Sequence, residues 1–166
     1  MKALVVYESL WGNTAAIARE IAAGIGPEAV ALATDEARPD VVAGADLIVA
    51  GAPVIGFNLA TEEMRAGVAN EASPSPPDLR HPSLRSWLDG LPAGHGASAS
   101  FETRIWWSPR GATGEIERRL QRAGYTPVAK ARKFVVNGKY GPLREGELER
   151  AREWGRELAA SVTTSV

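Results

Sequence analysis

The sequence predicts a doubly wound α/β fold, in which helices cover both faces of a parallel sheet. Short apolar runs of strand length alternate with segments whose apolar residues recur at helical spacing, the signature of successive βαβ units. A small polar loop joins the first apolar run to the first helical segment, a junction that favours a buried strand followed by an amphipathic helix. The 166 residues, 45% of them hydrophobic, suit one domain of ordinary size that builds its own core.

The elements follow in order. Residues 2–7 form the first strand around Ala3, Leu4, Val5 and Val6, and a helix at 13–23 directs Ala15, Ala18, Ile21 and Ala22 inward. Strands are expected at 28–33 and 46–51, then a helix at 61–69 headed by Glu62 and Glu63, acids that complement a helix dipole. Residues 71–82 are rich in proline and serine, cannot hold a helix, and are expected to form a mobile surface loop. They interrupt a single domain, because the helical patterns on either side, 61–69 and 83–91, are both needed to cover the sheet. In the second of these Trp87 and Leu91 share a core-facing side. A strand at 97–103 precedes a helix at 115–124, with Ile116, Leu120 and Ala123 inward and Arg118, Arg119 and Arg122 outward. The last strand is expected at 128–136. The last helix, 145–162, sends Leu148, Ala151, Gly155, Leu158 and Val162 inward, with Trp154 at its boundary and acids and bases alternating outside.

Composition narrows the function. With no cysteine there is no disulfide framework, thiolate metal site or cysteine nucleophile. A net charge of −1, from 19 basic and 20 acidic residues interspersed along the chain, argues against nucleic acid as a partner. No stretch approaches the ~20 apolar residues of a membrane span, and the first apolar run is too short for a signal peptide, so a cytoplasmic protein is expected. His81 and His95 have no acidic partner at metal-ligand spacing and are expected at the surface. Ser9 has no His and acid arranged around it, which leaves a hydrolase reading without support.

The chemistry-bearing segment is Tyr7-Glu8-Ser9-Leu10-Trp11-Gly12-Asn13-Thr14. A helix leaves its first amide donors unpaired and its dipole positive at this end, so an anion is favoured there. Ser9 and Thr14 add hydroxyls, Gly12 lets the backbone approach, and no Lys or Arg is present, so dipoles and hydrogen bonds would do the binding. Neither the P-loop pattern nor the dinucleotide-binding glycine pattern can be read here, which leaves a nucleotide monophosphate as the expected ligand.

The order of residue types resembles the FMN phosphate loop of the flavodoxin family. That loop has two apolar residues, an aromatic, Ser or Thr after one variable position, then a small residue, Thr and Ala at set intervals. Val5, Val6, Tyr7, Ser9, Gly12, Thr14 and Ala18 occupy those places. The resemblance implies a flavodoxin-like three-layer sandwich with a five-stranded parallel sheet of order 2-1-3-4-5, and FMN as cofactor. In such sheets a ligand lies beyond the strand ends where the order reverses, so three loops would enclose it. The first supplies Ser9, Leu10, Trp11, Gly12, Asn13 and Thr14 to the phosphate. The second, 52–60, offers Ala52, Pro53, Val54, Ile55, Gly56, Phe57 and Asn58, and the third offers Thr103, Arg104, Trp106, Trp107 and Gly111 to the ring. Two adjacent tryptophans in a loop either meet the flavin or anchor the loop over a helix end.

Flavodoxins usually carry an acidic residue and a tyrosine in the third loop and a strongly acidic surface. This chain has Arg104 and Arg110 there, and is nearly neutral. A cation at the ring would stabilise the anionic reduced flavin, so Arg104 predicts a less negative potential than that of a low-potential flavodoxin. The expected function is FMN-dependent electron transfer to a redox partner protein or a small acceptor, as monomer or homodimer, with no side chain acting as acid or base and no metal. Two alternatives stand beside it. Residues 53–65, with Asn58, Met64 and Arg65, look somewhat like a loop of NAD(P)H-dependent flavin or quinone oxidoreductases, and the divergent third loop permits a flavodoxin-fold domain that has lost FMN.

Overall fold

The computed structural model describes residues 1–164. Strand β1 (Ala3–Tyr7) lies between β2 (Val30–Ala33) and β3 (Leu47–Ile55) in parallel register, with Leu4 opposite both Val30 and Ile48. Strand β5 (Ala97–Ile105) pairs with the far side of β3, from Leu47↔Ala97 to Pro53↔Thr103. The other edge of β5 carries two parallel pieces, β6 (Thr126–Pro127) along its start and β7 (Arg132–Val136) along its end.

The order is therefore β2-β1-β3-β5-β6, with β7 continuing the outer position. This differs from a plain 2-1-3-4-5 in two respects. The expected fifth strand is split, Pro127 lying at the break, and the hairpin partner β4 (Asn58–Leu59) adds an antiparallel strand against the end of β3. Residues 52–55, expected in a loop, are the last part of β3, because Ala52 and Pro53 still pair with Glu102 and Thr103.

Apolar residues alternate between two cores. One face of the sheet directs Ala3, Val5, Leu47, Val49, Ala99, Phe101 and Phe134 at helices α1 (Asn13–Ile25) and α6 (Glu147–Thr164). The other directs Leu4, Val6, Ile48, Ala50 and Ala52 at α4 (Leu84–Asp89) and α5 (Thr113–Arg122), with Val42 of the one-turn helix α2 (Pro39–Val42) at the margin. Helices α1 and α6 touch backbone to backbone, since a Cβ on Gly24 would lie 2.0 Å from the carbonyl oxygen of Arg152 and one on Gly155 would lie 2.2 Å from that of Ile21.

Helix α6 corrects two expectations. Trp154 is buried against Phe101 and Phe134, and Leu148 is exposed, because the buried stripe runs through Glu147, Ala151, Trp154 and Leu158. Helix α3 (Glu62–Ala69) stands at the end of the sheet, where Met64, Gly67 and Val68 wall a cleft, while Leu84 and Leu88 of α4 join the core. No helix among the described residues is long and apolar enough to cross a membrane.

Candidate functional site

The loop after β1 turns into α1 through Gly12, which adopts a left-handed conformation (φ 92°) that side chains avoid, with no side chain capping the helix. The Gly12 N–H donates to Ser9 Oγ (3.1 Å) and the Ala16 N–H to the Gly12 carbonyl (3.0 Å). The backbone N–H groups of Leu10, Trp11, Asn13, Thr14 and Ala15 have no hydrogen-bond partner among the described residues. Unpaired donors at a helix start around a left-handed glycine are an arrangement able to accept an anion. The Thr14 hydroxyl is tied to that of Thr103 at 2.8 Å, which joins the loop to β5.

Beside this loop opens a cleft of about 770 Å³. Its walls take Ser9, Leu10, Trp11, Asn13 and Thr14 from the first loop, Pro53, Val54, Ile55, Gly56 and Phe57 from the hairpin, and Thr103, Arg104, Trp106 and Trp107 from the third. Four of the expected site residues lie off this wall. Gly12 lines a second cavity of about 620 Å³ on the other side of the loop, together with Arg19, Asp35, Arg80 and His81. Ala52 is in the core, Asn58 turns its carboxamide oxygen to the Leu59 N–H (2.8 Å), and Gly111 packs on the Glu102 carboxylate, which a Cβ would approach to 2.2 Å.

Residues 137–139, Asn-Gly-Lys, form a fourth wall not expected from the sequence, and Met64, Gly67, Val68 and Glu71 complete the lining, of which only Met64 lay in a segment already marked. The Asn-Gly pair just past a strand was the available signal. This wall is fixed by Asn13, whose Nδ2 donates to the Tyr140 carbonyl (3.1 Å), and by the edge-on contact of Trp11 and Tyr140. Residues 71–82 lie along the same side. The Trp11 indole donates to the Ser75 carbonyl (3.1 Å), Tyr140 Oη to the Ala72 carbonyl (2.9 Å), and Lys139 pairs with Glu71.

Trp106 and Trp107 keep 71% and 55% of their surface exposed, so neither is buried as a loop anchor. Trp107 meets Phe57 edge-on, with ring centroids 5.9 Å apart. Phe57 sits at φ 62° after Gly56 at φ 56°, the paired left-handed residues that a two-residue hairpin requires. Holding a phenylalanine there costs about 1 kcal/mol, the kind of strain found at binding sites.

Two buried carboxylates tie neighbouring segments together. Glu102 Oε1 accepts from the Ala112 (3.0 Å) and Thr113 (3.2 Å) N–H groups at the head of α5, and its Oε2 faces Arg104 Nη1 at 3.2 Å. Arg104, 9% exposed, thus reaches the cleft with its charge largely matched by a neighbour, which weakens the field it casts on a ligand. Glu8 Oε1 accepts from the Leu84 N–H (2.8 Å) and its Oε2 lies 3.1 Å from Arg65 Nε as an ion pair without hydrogen-bond geometry. Burial lifts the Glu8 carboxyl above its ordinary range, against the Leu84 hydrogen bond and Arg65. At Glu62 burial acts the same way but is outweighed by hydrogen bonds from Ser83 and Ser86 and by Arg65, which hold that carboxyl at about 2.

His81 also departs from expectation. It is 7% exposed and its Nε2 accepts the Ser9 N–H at 3.3 Å, beneath the loop after β1. It follows the exposed Arg80, and burial comes from the return of residues 78–84 to Glu8, Ser9 and Leu10 just past β1. His95 is exposed.

Solved structures share this architecture across the whole chain. A flavodoxin from the domain Archaea matches 98% of the chain and 99% of its own length, with 20% identity and a TM-score of 0.67. Flavodoxin 1 of Bacillus cereus matches 100% of the chain and 99% of its own length, with 18% identity and a TM-score of 0.66. The fold is flavodoxin-like. The flavodiiron core of Flv1 from Synechocystis sp. PCC6803 matches 100% of this chain over 37% of its own length, with 16% identity and a TM-score of 0.66. No protein-family model and no curated protein matches the sequence. Within the flavodoxin-like sheet, the loop after β1 and the cleft occupy the carboxyl ends of β1, β3 and β5, on either side of the point where strand order reverses.

Proposed function

We propose that the cleft binds FMN and that the protein transfers electrons through it to a redox partner protein or a small acceptor. The observation that carries this reading is the set of free backbone donors at Leu10, Trp11, Asn13 and Thr14, residues that line a cleft with exposed aromatic walls. The donors suit one phosphate without a neutralising side chain. The cleft beside them has the size and largely apolar lining of a small-molecule site.

The residues present fit FMN. The loop amides would take the phosphate, while the Thr14–Thr103 hydroxyl pair keeps the head of α1 fixed to β5. Trp107, braced by Phe57, and Trp106 would flank the flat ring and exclude water from it, and Arg104 would supply a donor at its polar edge. Bound flavin supplies one- and two-electron transfer, so the chain's task is to hold, orient and tune it.

The test is spectroscopic. Purified protein should be yellow with flavin absorbance, or should quench the fluorescence of added FMN. A colourless protein that leaves FMN fluorescence unchanged overturns the reading. Anaerobic mixing of the loaded protein with NADH or NADPH should leave the flavin oxidised, and direct bleaching would instead establish a reductase.

A further inference from the structure

Residues 78–84 are fastened to three consecutive residues at the entry of the anion-binding loop. The Asp78 N–H donates to the Leu10 carbonyl at 2.8 Å, the Ser9 N–H donates to His81 Nε2 at 3.3 Å, and the Leu84 N–H donates to Glu8 Oε1 at 2.8 Å. In the middle bond of this strap an imidazole is the acceptor for a loop amide. A nitrogen that accepts carries no proton, so the ring's proton sits on Nδ1, which faces Asp78 Oδ1 at 3.9 Å.

We propose that His81 is the positioning residue of the anion-binding loop: its unprotonated Nε2 holds the Ser9 amide and so aligns the free N–H groups that follow, and a proton gained at Nε2 releases the loop and weakens its grip on a phosphate monoester. The second half rests on the phosphate reading of the loop. Ser9 is the residue from which the row of free amides begins, and its hydroxyl also receives the Gly12 N–H, so moving Ser9 moves the turn. With two N–H groups facing each other across 3.3 Å, one must withdraw.

The charged groups around the ring come from every side. Asp78 and Arg80 lie on its own segment, Asp35 follows β2, Arg65 and Glu62 lie on α3, and Glu8 ends β1. Burial holds the imidazole below its ordinary range, with Arg65 acting the same way and Asp78 opposing, which places the release on the acid side of neutrality. The charge that His81 gains would attract a phosphate, but Asp78 stands beside Nδ1 to offset it, whereas the lost hydrogen bond acts on the loop directly.

Two measurements test this, using wild type and His81→Gln, whose side-chain oxygen can accept the Ser9 amide but does not titrate. In ligand-free protein followed by NMR, the Ser9 and Leu10 amide signals should shift with the titration of the His81 ring, and should stay still in His81→Gln. In fluorescence titrations with FMN between about pH 8 and about pH 5, wild-type affinity should fall about tenfold more than that of the variant. The protonation of the FMN phosphate itself is common to both proteins and cancels. Amides that ignore the imidazole titration, or parallel affinity profiles, overturn the proposal. If neither protein binds FMN at any pH, the functional reading falls, and the amide titration still decides the role of His81. If the variant does not fold, the wild-type amide titration alone decides it.

Discussion

Replacing Glu102 by alanine should cost about 4 kcal/mol, because three bonds end at one buried side chain. The carboxylate accepts from the N–H groups of Ala112 and Thr113 and pairs with Arg104 Nη1 at 3.2 Å, a guanidinium only 9% exposed. Each amide stranded without an acceptor costs about 1–3 kcal/mol, less where water reaches it, as at the partly buried Thr113. Breaking a buried pair by removing one partner costs about 3–5 kcal/mol, since the other charge stays behind. The two costs overlap, and about 4 kcal/mol is the central value. At about 3 °C per kcal/mol for a chain of this length, Tm should fall by about 12 °C. The assay is thermal and urea unfolding followed by circular dichroism. The double variant Glu102→Ala/Arg104→Met, which removes the stranded charge as well, should recover about half of the loss. A Glu102→Ala protein melting within about 3 °C of wild type, or strictly additive single and double variants, would refute the account of Glu102 as the cap of α5 and counter-ion of Arg104.

Trp106→Ala and Trp107→Ala should leave Tm nearly unchanged, since both rings are mostly in solvent, yet the pair together should weaken FMN binding at least about tenfold in fluorescence titrations; unchanged affinity in the double variant would remove the tryptophans from the site. The stability contributed by Glu62 should be fully present above about pH 4.5 and be lost as pH falls toward about 2, because the native state holds its carboxyl below the unfolded value. Urea midpoints measured down that range should fall more steeply for wild type than for Glu62→Gln, and equal slopes would disprove it. Glu8 has the opposite sign: its raised carboxyl makes the native state bind a proton more readily, so its contribution improves as pH falls through that raised value.

The fold and the turn with free amides that begins the first helix were legible because both are written locally. An apolar run, a short polar loop and an amphipathic helix are adjacent in the chain, and the free amides at Asn13, Thr14 and Ala15 follow from the way any helix begins. The far end of the cleft was legible only in part. Trp106, Trp107 and Phe57 could be marked as unusual for a loop, but nothing in their neighbourhood said that Phe57 would brace Trp107 or that Glu102 would take up much of the charge of Arg104. The prolines of 71–82 correctly excluded a helix, while its hydrogen bonds to Trp11 and Tyr140 came from residues far away in the chain.

The sequence by itself determined a doubly wound sheet with a turn of unpaired amides after its first strand, because hydrophobic period and helix-end chemistry act over a few residues. Only the tertiary structure decided that His81, 72 positions from Ser9, lies beneath that turn, and that residues 137–139 close the cleft. Side chains so far apart meet only once the chain has turned back across the sheet. Their roles depend on burial and on partners that no local pattern encodes.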